Sequence, residues 1–193
     1  MRLKNRKKVY ALVGAAVAAI LIAGIIAYAT QATDSPPAGD ATVVAADFRI
    51  LSQAHTDVCA YLGSQQANTN YINSLADNYY LQGACCNPMV YKHYAEQITG
   101  LKNHSQISII PHDPYNVSAS QAKQMVSFDS ISLAPAQQAV YGNATKTSGE
   151  GPCCCQCWAW YAHEGLAKAL ISQYGWNAKQ IANIWDLEDC CGG

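Results

Sequence analysis

The sequence predicts an all-α protein, with one N-terminal transmembrane helix followed by a cysteine-rich helical domain. Three observations lead there. Residues 9–29 (VYALVGAAVAAILIAGIIAYA) run for 21 positions without a charge. Beyond them, apolar residues recur at helical spacing between recognisable caps. Eight of the nine cysteines fall into three tight groups, each at the end of a predicted helix.

The chain opens on MRLKNRKK, five basic residues and no acid. At about 1.5 Å per residue, the apolar run that follows can cross a hydrocarbon core of roughly 30 Å. A helix satisfies its own backbone groups in lipid, and the basic flank holds residues 1–8 in the cytoplasm. Ala27-Tyr28-Ala29 resembles a signal-peptidase site, but the run exceeds the usual apolar stretch of about 7–15 residues in a cleaved leader, which favours an uncleaved anchor. No cysteine stands near its end to accept a lipid. Either way the remainder is extracytoplasmic, periplasmic or cell-surface; the uncleaved anchor makes it a single-pass protein of the cell membrane. Residues 30–41, containing TDSPPAGD, read as a linker. Residues 42–193 are enough for one domain with its own core.

Within that domain, residues 43–62 predict a first helix, with Val44, Phe48, Leu51, Val58 and Leu62 on its apolar side. The tyrosine-rich residues 68–81 suggest a short helix. Asn87-Pro88 reads as an N-cap and first position, followed by MVYKHYAEQITGLK. Residues 107–110 (ISII) are the one strand-like run. Ser118 caps a further helix, and Ala134-Pro135 starts another. Pro152 opens the longest globular helix, ended by Gly175 as C-cap. Asn177 caps a last helix before EDCCGG.

All thirteen acidic residues follow the apolar run, against seven basic ones, leaving the exported part near −6. That excludes nucleic acid, which needs clustered Lys and Arg. It suits a soluble acidic surface or a cationic partner.

The central group, GPCCCQCW, places Cys153, Cys154, Cys155 and Cys157 at a predicted helix start. There the backbone N–H groups and macrodipole favour thiolate, the form that binds metal or attacks a disulfide. Cys85-Cys86 and Cys190-Cys191 form the outer pairs; Cys59 sits inside the first predicted helix. Three uses compete. In an oxidising compartment the cysteines can pair as staples, with 105 possible pairings for eight. They can hold Cu(I), Zn(II) or an iron–sulfur cluster. Or the CxxC of residues 154–157 can exchange disulfides, although the βαβ setting for that is absent. For a metal, Cys85, Cys86, Cys153, Cys154, Cys155, Cys157, Cys190 and Cys191 are the candidate ligands, with His93, two helical turns after Cys86, as a further donor. Directly adjacent cysteines usually point apart, so each pair is expected to give one ligand. Trp158, Tyr161 and Gly165 share a face suited to close packing; Glu164 reads as solvated. No Ser-His-Asp set, HExxH or CxxCH is present, so no catalytic residue is assigned.

The segments LQGACCNPMVYKHYAEQITGLK, IPHDPYNVSASQAK, GPCCCQCWAWYAHEGLAKALI and IWDLEDCCGG resemble a family of uncharacterised prokaryotic membrane-anchored cysteine-rich proteins, over most of residues 81–193. The resemblance implies a membrane-tethered, helical, cysteine-rich domain and carries no activity or substrate. Pro152, Cys153, Cys155 and Cys157 also fit, more loosely, the spacing of exported proteins with a Pro-Cys-Tyr-Cys-Gly-Cys motif. Cys154 and Gln156 depart from it, and Asp189-Cys190-Cys191-Gly192 stands where Asp-Gly-Cys-Gly is expected.

The sequence therefore predicts that the three cysteine groups converge at one end of a helical bundle. The preferred reading is a soft-metal or thiol-based binding module. The competing one is a disulfide-stapled structural or interaction domain held near the membrane to bind a neighbouring membrane or cell-surface protein.

Overall fold

The structure is a computed structural model, and it describes residues 38–56, 62–149 and 151–192. The chain divides into two compact units, residues 1–41 and 42–193; the second is described here. The basic tail, the apolar run, nearly all of the linker and Cys59 lie outside the described residues. Among the described residues no helix is long and apolar enough to cross a membrane, so the structure lends the transmembrane helix no support.

Seven α-helices account for most of the described chain: α1 Ala38–Leu51, α2 Gln65–Ser74, α3 Tyr91–Lys102, α4 Ala119–Ser127, α5 Pro135–Thr147, α6 Trp158–Tyr174 and α7 Ala178–Leu187. Two three-residue strands, β1 Tyr80–Gln82 and β2 Asn116–Ser118, pair antiparallel with Leu81 opposite Val117. The domain is thus mostly helical, as expected.

Helix α6 is the axis. Its Ala159, Ala162, Leu166, Ala167, Ala169 and Leu170 are fully buried, and α2, α4, α5 and α7 all pack against it. Small residues let neighbours come close. A Cβ on Gly165 would overlap the Met125 carbonyl of α4, so the glycine is what lets the two backbones meet. Trp158 and Gly165 are buried and Tyr161 is half-buried, the packing face that the sequence suggests. Glu164 is not simply solvated. It lies 3.1 Å from Lys168, which also reaches the Asp129 carboxylate at 2.5 Å, and all three side chains are less than a quarter exposed.

Caps are mostly where they were expected. The Ser118 hydroxyl accepts from the Gln121 N–H at 3.2 Å, Asn177 accepts from Lys179 and Gln180, and Gly175 ends α6 at φ +68°. Other boundaries differ: α1 begins at Ala38, inside the expected linker, and α2 runs only to Ser74, with residues 80–82 in β1. Helix α1 stops at Leu51, where the Ala54 N–H turns back to the Leu51 carbonyl, and Thr56 then pairs with Gln82 of β1. Leu62 is exposed, and Val58 lies outside the described residues. Helix α3 starts at Tyr91 rather than near Asn87, which instead lies in the segment tied to the C-terminal loop, its N–H donating to the Cys191 carbonyl at 2.7 Å. Residues 107–110 form turns whose Ile109 and Ile110 fill the core, and the strands lie elsewhere. Helix α6 begins at Trp158, so residues 151–157 form a bent loop rather than its first turns.

A Gly165→Ala variant is expected to lose about 1–3 kcal/mol, the usual cost of overpacking a tight contact. Chemical unfolding of the purified chain, followed by circular dichroism, measures it.

Candidate metal centre

Three bent segments carry the site. Residues 84–87 lead from β1 towards α3, residues 151–157 lead into α6, and residues 188–192 follow α7. The first and third are tied by backbone bonds: Cys85 N–H to Cys190 O at 3.0 Å and Asn87 N–H to Cys191 O at 2.7 Å. Gly192, at φ +85°, closes this pairing; a Cβ there would overlap the Asn87 carbonyl, and its φ favours glycine independently. The Asp189 carboxylate accepts from the Cys191 N–H at 3.0 Å, and the Gln97 amide of α3 donates to the Asp189 carbonyl at 2.7 Å. The middle segment is held from α6: His163 Nδ1 lies 2.8 Å from the Pro152 carbonyl. Burial lowers the His163 pKa and keeps the ring neutral, so Nδ1–H is the donor. The Cys157 N–H donates to the Cys155 carbonyl at 2.9 Å, folding the loop on itself.

These constraints bring the three cysteine groups together. Sulfur–sulfur separations are 3.5 Å for Cys85–Cys86, 3.9 Å for Cys85–Cys191, 3.7 Å for Cys86–Cys154 and 3.5 Å for Cys153–Cys191. The closest pair, Cys154–Cys191, is at 2.7 Å, beyond the roughly 2.05 Å of a disulfide. None of the eight described cysteines is joined to another at disulfide distance. Four sets of three have their sulfurs within 4.8 Å of one another: Cys85, Cys155 and Cys157; Cys85, Cys86 and Cys191; Cys86, Cys154 and Cys155; Cys153, Cys154 and Cys191. Among the described residues, this cluster is close enough to hold a metal ion, and no pair stands at disulfide distance.

Adjacent cysteines do not point apart here. Cys85 and Cys86 belong to one set, and so do Cys153 and Cys154. Alternation belongs to extended strands, whereas both segments bend. Of the last pair only Cys191 joins the sets, while Cys190 interacts with Cys85. His93 joins none of them. It lines an adjoining cavity of about 250 Å³ with Cys153, Trp185 and Asp189, its Nε2 buried without a partner. A second cavity, of about 370 Å³, reaches Cys85 and Cys86 from another side and includes His55.

Crowding decides the charge state. Cys157 is held strongly towards thiolate, first by the Cys153 and Cys85 thiols and then by the N–H groups of Ala159 and Trp160 at the start of α6. The helix-start amides that the sequence points to are thus a lesser cause than the neighbouring thiols. Cys153 and Cys85 are pushed far up, each first through its contact with Cys157, and Cys154 is raised by burial. One thiolate among packed thiols cannot be joined by others without a cation, and a cation reverses this order by deprotonating the thiols that bind it.

Sequence reasoning missed Gln97 and did not see that Asp189, Gly192 and His163 position the thiols. The Asp and Gly flanking Cys190-Cys191 were a usable signal, since that pattern marks a tight turn. Nothing local pointed to Gln97. No family model matches the chain, and searches of curated proteins and of solved structures give no match either.

Glu188, at the base of the third segment, is 1% exposed with neither carboxylate oxygen partnered. Burial, then the charge of Asp113, raises its pKa well above the ordinary range. A raised folded pKa means that stability is fullest below the unfolded value of about 4.3 and falls as pH rises through the folded value. Glu188→Met is expected to stabilise the chain at neutral pH by about 1–3 kcal/mol, the desolvation cost of an unpaired polar group, and to flatten that pH dependence. Thermal unfolding of both proteins between pH 4 and 8 checks it.

Proposed function

We propose that the chain is a membrane-tethered, extracytoplasmic module that binds a soft metal, Cu(I), Zn(II) or an iron–sulfur centre, through its clustered cysteines. The observation that carries this reading is the gathering of seven cysteine sulfurs from three distant segments into overlapping sets, close enough to hold a metal ion. A metal about 2.3 Å from each of its thiolates sets those sulfurs about 3.8–4.0 Å apart. The 3.5–3.9 Å separations approach that span; Cys154 and Cys191 would part by about 1 Å to reach it. Thiolate sulfur selects soft ions. The membrane tether and outward orientation rest on the charge-free run and its basic flank. The acidic exported part, with no basic cluster, speaks against nucleic acid as a partner.

The competing reading, a stapled domain that holds a neighbouring surface protein, rests on one pair, Cys154 and Cys191. Alkylation and mass spectrometry of the full chain, isolated without reductant, separate the two. The expected result is reduced thiols in the three groups with stoichiometric copper, zinc or iron, and a gain in thiol reactivity when a chelator strips the metal. Eight oxidised cysteines with no metal would overturn it.

A second expectation concerns the turn that aims Cys191. Asp189→Ala removes the acceptor for the Cys191 N–H and should weaken metal affinity about 10–100-fold, as loss of an outer-shell partner does, while leaving the helical circular dichroism unchanged. Competition titration against a chelator reads the affinity.

A further inference from the structure

We propose that the thiol pocket holds a polynuclear copper(I) cluster in which shared thiolates bridge four ions. This deepens the metal-binding reading and rests on it. The four sets of sulfurs are not separate sites. Together they use seven cysteines, and five of these, Cys85, Cys86, Cys154, Cys155 and Cys191, each belong to two sets. Cys153 and Cys157 each belong to one. A single ion would engage three or four of these seven sulfurs and leave the other sets, equally close, without an ion. Sulfurs held in common by neighbouring sets are placed as bridging thiolates are, each lending lone pairs to two ions.

The number of donors per set chooses the metal. Each set offers three sulfurs, which suits trigonal Cu(I), a soft ion that thiolates select. Zinc in a structural site takes four ligands in a tetrahedron, and His93, the one nitrogen donor proposed from the sequence, stands outside every set. An iron–sulfur cluster places inorganic sulfide and iron between its cysteines. Here the cysteine sulfurs are in mutual contact at 3.5–3.9 Å, leaving no room for such a core.

Access and shielding also agree. Cys86 and Cys154 are exposed, whereas Cys153, Cys157 and Cys191 are buried. Ions can enter along the open rim and settle against a dry floor. Uptake expels the thiol protons to solvent and changes no oxidation state, provided that copper arrives as Cu(I).

The test uses the full chain in detergent micelles, reduced and kept under nitrogen. It is titrated with Cu(I) as its acetonitrile complex against a Cu(I) chelator. Native mass spectrometry counts the ions, and X-ray absorption reports their neighbours. The expected result is cooperative uptake of four ions, three sulfurs around each, and a copper–copper scattering contribution. Cys86→Ser, at an exposed thiol shared by two sets, should lose two ions with unchanged circular dichroism. Cys153→Ser, at a thiol of one set, should lose one. Saturation at a single ion without copper–copper scattering would overturn the cluster and leave metal binding standing. Equal losses from the two variants would overturn the sharing. A fully reduced chain that takes up no copper would sink both readings.

Discussion

The site depends on one piece of backbone pairing, between residues 85–87 and 190–192. Two main-chain hydrogen bonds, Cys85 to Cys190 and Asn87 to Cys191, join segments about a hundred residues apart. Each bond alone contributes only about 0.5–1.5 kcal/mol net. Their weight lies in what they set: the register that puts Cys191 within 3.9 Å of Cys85, and hence the geometry of every set containing either sulfur. Gly192 makes the pairing possible, since any side chain would strike the Asn87 carbonyl. Slippage by one residue would also put Cys190 where Cys191 now meets the middle segment.

The middle segment is held by independent means, from the core outward. Helix α6 is rigid because its alanine- and glycine-rich faces sit against four other helices. His163 projects from it to hold the Pro152 carbonyl, and the Trp185 indole of α7 donates to the His163 carbonyl at 3.2 Å. A chain of contacts thus runs from α7 through α6 to the loop bearing four cysteines. Burial and neighbouring sulfurs oppose ionisation of the gathered thiols, so Cys85 and Cys153 are held in the neutral form.

Much of this was legible from the residues, and the reasons are local. Ser118, Asn177 and Gly175 mark helix ends because their cap chemistry acts within a few residues. The grouping of cysteines at element ends suggested their meeting, since segment ends of a bundle are brought to a common end by its short connections. What was hidden is non-local. Pro152 read as a helix start, but the carbonyl that His163 holds, eleven residues on, belongs to a loop. Asn87 looked like an N-cap, but it lies in a segment paired with Cys191, far along the chain, and the helix starts at Tyr91. The rule that adjacent cysteines diverge failed for the same reason. It presumes regular backbone, and the long-range contacts had bent it.

The bends are what turn a count of cysteines into a site. On the predicted helix, Cys153 and Cys157 would share one face while Cys155 pointed to the opposite side, so the four sulfurs could not all face the outer pairs. In the loop, the Cys157-to-Cys155 hydrogen bond folds the chain back within three residues. That leaves Cys157 as the N-cap residue of α6, facing its first amides, and lets Cys153, Cys154 and Cys155 reach the sulfurs of the outer segments. The helix thus supplies its positive end to one thiolate, and the loop supplies the remaining thiols. Neither could do both, because a helix that began at Pro152 would have spent those amides on its own carbonyls. Starting the helix late, at Trp158, is therefore what lets these cysteines meet those of the outer segments.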